Sequence, residues 1–174
     1  MASSEPRLVV LDAGPVIHLD ELGLLRLLEG FSEIQIPTLV WDEVCVHRPL
    51  LTLDRLPGAE VINLTSESTA RLATLPLFGQ LHPGERAALN LLLERAEGMF
   101  LSDDDAARQS AEALGFAVTG TLGIVLRGVR RGQLVRSEAA TILRGIRSQS
   151  TLHASRALIA RCLEILENDV RNRK

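Results

Sequence analysis

The sequence predicts an α/β fold built on a parallel sheet. Short apolar, β-branched runs alternate with helical segments along most of the chain, and the loops between them are short. No internal repeat or low-complexity segment interrupts that alternation. At 174 residues the chain has the length of one domain, able to bury roughly 70% of the surface its unfolded form exposes. Residues 1–150 are taken as the main domain and 151–174 as a C-terminal amphipathic helix.

The elements follow in order. Arg7 to Leu11 is a buried-strand run that ends at Asp12, and Ala13-Gly14-Pro15 is expected to turn the chain. Leu24, Leu25, Leu27 and Leu28 predict a helix stopped by Gly30. Ile34 to Ile36 is a second strand, stopped by Pro37, and Thr38 is placed to cap a helix reaching about His47. Val61 to Leu64 is a third strand, and the stretch 66–82 carries no clear signal. Pro83-Gly84-Glu85 opens a strong helix that stops by Gly98. Met99 to Leu101 is a fourth strand, followed by the acidic turn Ser102 to Asp105 and a helix ending at Gly115. Phe116 to Thr119 is a fifth strand, and Thr121 starts another helix. In the tail, Leu158, Ile159, Cys162, Leu163, Leu166 and Val170 make one helical stripe. It either closes the core or faces a partner.

Composition excludes several function classes. With no Tyr, one Trp and four Phe, the chain lacks the aromatics that single-strand binders use to stack bases. Its longest uncharged stretch, Ala113 to Leu126, holds three glycines and is too short to span a bilayer, so no membrane role is expected. Glu5 and Asp12 break any signal-peptide pattern, and Cys45 and Cys162 form neither a disulfide framework nor a zinc spacing. A reducing, cytoplasmic setting is the expectation. The net charge of −3 is unevenly spread. Residues 1–126 hold 8 Arg against 18 acids, whereas 127–147 hold six Arg against Glu138 alone. That basic segment reads as a solvated helix face or as a phosphate-contact surface.

The acids fall where an open parallel sheet places its sites, outside the carboxyl ends of strands at the point where the winding reverses. Asp12 follows strand one, Asp103 and Asp104 follow strand four, and Glu85 lies in the first turn of the preceding helix. Glu43 lies between Leu39 and Val40 on its helical wheel, at the edge of an apolar stripe. Four carboxylates within ~5 Å would repel by about 3 kcal/mol per pair at an effective dielectric near 20. Such a cluster needs protons, arginines or metal ions, and an all-oxygen donor set suits Mg²⁺ or Mn²⁺. Each acid also has a plainer reading. Asp104 can cap a helix and pair with Arg108, Glu85 can favour a helix start, and Glu43 can pair with His47. Asp12 would suit a phosphoacceptor or nucleotide fold as well, but the only lysine is Lys174. Asp20, Glu21, Asp42 and Asp105 read as solvated, His18 and His82 as loop or surface residues.

The segments VVLDAGPVIHL (9–19), IPTLVWDEV (36–44), HPGERAALNLLLE (82–94), LSDDDAAR (101–108) and VTGTLGIVLRGVRRG (118–132), in this order, resemble the PIN-domain family, in particular small prokaryotic members related to toxin–antitoxin ribonucleases. The resemblance spans about 7–135. It implies a five-stranded parallel sheet of order 3-2-1-4-5 flanked by helices, with the C-terminal helix as an extension, and a metal-dependent RNA-cleaving site. It assigns Asp12, Glu43, Glu85 and one of Asp103 and Asp104 as catalytic acids. Of these, Asp12, Glu85 and Asp103 or Asp104 hold Mg²⁺ or Mn²⁺. Gly14 stands where a small hydroxyl residue is common in the family, so a hydrogen bond beside Asp12 is expected to be missing.

On this reading Arg108, Arg127, Arg130 and Arg131 hold the RNA backbone, and Thr119 and Thr121 support the site. The resemblance further implies an antitoxin protein as partner and a homodimer. The alternative is a PIN-like module that binds nucleic acid or a protein without cutting.

Overall fold

A computed structural model of the chain describes residues 7–64 and 78–171. Strands β1 (Leu8–Leu11), β2 (Glu33–Pro37), β3 (Ala59–Ile62), β4 (Met99–Leu101) and β5 (Ala117–Thr119) form one parallel sheet of order β3-β2-β1-β4-β5. The expected α/β class and strand order are therefore present. β1 is central and all four of its residues are buried. Its unbroken apolar run reflects a strand covered on both faces. The helices are α1 (Ala13–Glu21), α2 (Thr38–His47), α3 (Pro83–Arg95), α4 (Asp105–Ala113), α5 (Thr121–Arg130), α6 (Arg136–Gln149) and α7 (Arg156–Arg171). The winding reverses between β1 and β4, which pair directly. The ladder continues past the strand ends through Asp12 N–H to Leu101 O (2.9 Å) and Ser102 N–H to Thr119 O (3.0 Å). Those two bonds fix the residues that open the site.

Several elements differ from their sequence-based outlines. Ala13-Gly14-Pro15 does not turn the chain; it is the first turn of α1. Proline is compatible there because the first N–H groups of a helix have no intrahelical acceptor. The leucine-rich segment expected to be a helix is a 3-10 stretch, Leu25–Gly30. β3 starts two residues earlier than its apolar run, because Gly58 (φ +81°) and the Ala59 N–H to Leu56 O bond turn the chain straight into it. Thr38 does not cap α2. Its hydroxyl donates to Asn63 Oδ1 (2.9 Å) and ties the helix start to the end of β3. The stretch 66–82 is described only from Phe78, and the side chain of Val170 and Lys174 lie outside the described residues.

α7 packs on α6 and α5, with Cys162 and Leu166 buried and Ile159 and Leu163 against the core. Leu158, at the start of the apolar stripe, is 45% exposed, and Ile165, seven residues on along the same line, is 37% exposed. α7 thus has one face in the core and a second apolar line outside it.

Candidate active site

Asp12 caps α1 and its side chain is fixed from two sides. Oδ1 accepts from Ala13 N–H (2.8 Å) and Oδ2 from the Ser102 hydroxyl (2.8 Å). The Ser102 oxygen in turn accepts from Asp104 N–H (3.1 Å), so one buried hydroxyl joins the ends of β1 and β4. The hydrogen bond missing at Gly14 is thus supplied from β4. Glu85 lies in the first turn of α3, and its Oε2 accepts from His82 N–H (2.7 Å). Glu43 extends from α2 to Gly84, whose hypothetical Cβ would sit 3.1 Å from Glu43 Oε2. Asp104 caps α4 through Ala107 N–H to Oδ1 (2.8 Å). The plainer readings of Glu85 and Asp104 as helix-start residues are thus real, yet both acids also face the same hollow. Asp12, Glu43, Glu85, Asp103 and Asp104 all line one cavity of about 270 Å³ at the carboxyl edge of the sheet.

Glu43 differs from expectation in one respect. It is exposed at the cavity rim rather than half-buried, because Leu39 beside it is 54% exposed and no apolar stripe covers that edge. No Glu43–His47 or Asp104–Arg108 ion pair occurs among the described residues.

Burial dominates the electrostatics. It pushes the Asp12 carboxyl up to about 7, against the lowering effect of its Ser102 and Ala13 hydrogen bonds and with help from the Glu85 and Glu43 charges. Burial also raises Glu85, countered by the His82 N–H bond and reinforced by Asp104 and Glu43. Asp12 therefore feels the charges of Glu85 and Glu43, and Glu85 those of Asp104 and Glu43. Among the described residues, no three His, Cys, Asp or Glu side chains are drawn together tightly enough to hold a metal ion. Glu85 and Asp104 are instead held by backbone N–H donors at the start of their own helices, and Asp12 by Ala13 N–H and by the Ser102 hydroxyl from across the sheet.

Asp103 is arranged differently from Asp104. Thr121 donates to it twice, N–H to Oδ1 (2.8 Å) and hydroxyl to Oδ2 (2.6 Å), and Oδ2 also lies 2.8 Å from His18 Nδ1. His18 is thus no surface residue. It lies on α1, one turn after Gly14, and lines the same cavity, as do His82 and His153. Asp20 and Glu21, expected to be solvated, are also engaged. Asp20 pairs with Arg48 (2.6 Å) and Arg55 (3.2 Å). Glu21 accepts from Thr151 N–H (2.7 Å) and its hydroxyl, which ties the 150–155 connection over the cavity.

The arginines separate into two groups. Arg108, on α4, is half-buried and lines the groove next to the cavity. Arg127, expected to hold the RNA backbone, lines neither the carboxylate cavity nor the groove beside it. It is only 9% exposed, stacks 4.0 Å over the Phe31 ring and donates to Gly30 O (3.1 Å). Arg130 and Arg131 also fall away from the site. α5 starts at Thr121, beside Asp103, and nine residues of helix carry its other end about 13 Å off. Arg131 lies instead against Gly30, near the amino end of β2. Thr121 is fully buried and holds Asp103, while the Thr119 hydroxyl packs against Gly123.

A family model of the PIN domain matches residues 8–168. The chain belongs to the PIN-domain family. The match takes in α7, well past the region where motifs alone carry the resemblance. No curated protein matches the chain. A PIN domain is a nuclease-type fold, and its family generally acts on nucleic acids. Among the described residues no helix is long and apolar enough to cross a membrane. Sequence reasoning missed Ser102, His18 and the 150–155 connection. Ser102 had a signal, its spacing two before Asp104. His18 had one only once α1 is known to be helical, because position 18 then shares a face with position 14.

Proposed function

We propose that this PIN-domain protein is a divalent-metal-dependent endoribonuclease, the toxin part of a toxin–antitoxin pair. The observation that supports this best is the convergence of Asp12, Glu85, Glu43 and Asp104, from four separate stretches of chain, on one cavity at the switch point of the sheet. A carboxyl pushed up to about 7 by burial beside Glu85 and Glu43 is relieved by a proton or by a cation in the cavity.

The donor set fits Mg²⁺ or Mn²⁺: hard oxygens dominate, and the buried carboxyl carries an electrostatic deficit a dication would offset. Asp12, Glu85 and Asp104 would hold it only by turning from the donors that now keep them apart, since no three of these side chains are grouped around an ion as they stand. Asp104 is preferred to Asp103, whose oxygens already serve Thr121 and His18. When bound, the ion supplies a water of lowered pKa and neutralises charge growing on the phosphate. The chain's own residues orient these groups. Ser102 and Ala13 N–H fix the Asp12 carboxylate and His82 N–H fixes Glu85, while Glu43, at the rim, would take a proton from an incoming water.

Purified protein is expected to cut single-stranded RNA with Mn²⁺, to stop with chelator, and to lose at least 100-fold in rate in Asp12→Asn (on the order of a catalytic acid's contribution). Full cutting by Asp12→Asn would remove that residue from the mechanism. The spacing of the acids, too open for three to share an ion, favours one competing reading, a module that binds nucleic acid without cutting. RNA binding with no cleavage in any divalent ion would establish it. Growth arrest on expression, relieved by the product of a neighbouring reading frame, tests the toxin role.

A further inference from the structure

A second hollow opens beside the carboxylate cavity. It measures about 430 Å³ and lies between the β5 end with the start of α5 and the outer face of α7. The two hollows adjoin, because Asp103, Leu152 and His153 line both. The shared wall is the 150–155 connection, anchored by buried Leu152 and Ala154 and tied to α1 through Thr151 and Glu21. Leu158 and Ile165, the outward apolar line of α7, border the groove. Two cations face it, Arg108 from α4 and Arg161 from α7, and Asp105 lies at its margin. A core-closing helix gains nothing from an exposed leucine and isoleucine flanking an arginine. A ligand with an apolar face and a phosphate uses both.

We propose that this groove seats the nucleotide adjoining the scissile phosphate of a single-stranded RNA, with Arg108 and Arg161 holding its backbone phosphate and Leu158 and Ile165 packing on its base. The proposal rests on the ribonuclease reading and extends it to residues of α7. RNA is favoured over a peptide because the groove adjoins the acidic cavity and carries Arg108 and Arg161. A polymer bound there delivers its next phosphate to Asp12 and Asp104. A single strand is required because a duplex hides its base faces from an apolar wall. Among the described residues no aromatic side chain borders the groove, so binding there is expected to be tolerant of base identity.

The test is binding of a fluorescent single-stranded oligoribonucleotide to full-length Asp12→Asn protein, by anisotropy over a salt series. Arg161→Gln and Arg108→Gln are each expected to weaken binding about fivefold and to lower the slope of log K against log[salt] by about 0.7. Leu158→Ser is expected to weaken binding with the slope unchanged. Arg144→Gln, on the exposed part of α6, is the charge-matched control. All variants should share the parent melting temperature, since the altered side chains are exposed or half-buried. RNA binding by the parent that Arg161→Gln and Leu158→Ser leave at the control value would overturn the groove assignment, release the groove to a peptide partner, and leave the ribonuclease reading standing. Absence of RNA binding by the parent and by the wild type would overturn both.

Discussion

Asp12 concentrates the conflict between stability and function. Its carboxyl rises from 3.8 to about 7 on folding, so the folded chain binds a proton more readily than the unfolded one across that window. The sign follows from linkage: stability is full below about pH 4 and declines as pH rises through about 7, where the folded state must carry a buried charge. Asp12→Asn is therefore expected to raise the melting temperature at pH 8 and to lose that advantage by pH 5. Calorimetry at the two pH values checks it, and equal gains at both would contradict the burial argument. Gly84 gives a second case. A methyl there meets Glu43 Oε2 at 3.1 Å and Val40 Cγ2 at 3.5 Å. The carboxylate end of Glu43 can swing aside, and alanine in a helix is favoured over glycine by about 1 kcal/mol. Gly84→Ala is expected to leave the melting temperature equal or higher while lowering Mn²⁺-dependent cleavage severalfold. A destabilised, fully active variant would contradict the contact. Most site acids were legible in the sequence because strand ends and helix starts have local signatures. His18 and Ser102 were not, because their roles depend on which element crosses which.

At the scale of elements, the strands were readable from apolar runs because a strand buried on both faces admits a polar residue only where it finds a partner, as Gln35 of β2 does in Arg95. The boundaries that moved belong to turns. Gly58 advanced β3, and Pro15, which reads as a breaker, stands in the first turn of α1. α5 shows why charge along the chain did not translate into a surface. Its arginines fall at the end remote from the site, and Arg127 is consumed by the Leu25–Gly30 stretch and Phe31. Arg127→Ala removes a stacked cation and a hydrogen bond to Gly30, expected to cost about 2 kcal/mol of stability. RNA affinity should be unchanged, which separates a structural from a binding role. Denaturant unfolding and anisotropy on the same sample decide it.

At the scale of the whole molecule, the order of the sheet brings together acids that lie as far apart in sequence as 12 and 104. That convergence could be inferred from strand count and winding, whereas the outer face of α7 could not, since a helical stripe does not reveal which of its two apolar lines meets the core. Mn²⁺ at millimolar concentration is expected to raise the melting temperature by relieving repulsion in the cavity. Asp12→Asn should blunt that shift, and an identical shift in wild type and variant would place the ion elsewhere. The Thr151–Glu21 tie has a consequence for biosynthesis. Every acid of the cavity has been translated once residue 104 is made, but the wall over it arrives only with residues 150–155. A chain extended only to residue 104 would thus display the acids before residues 150–155 add their side of the hollow.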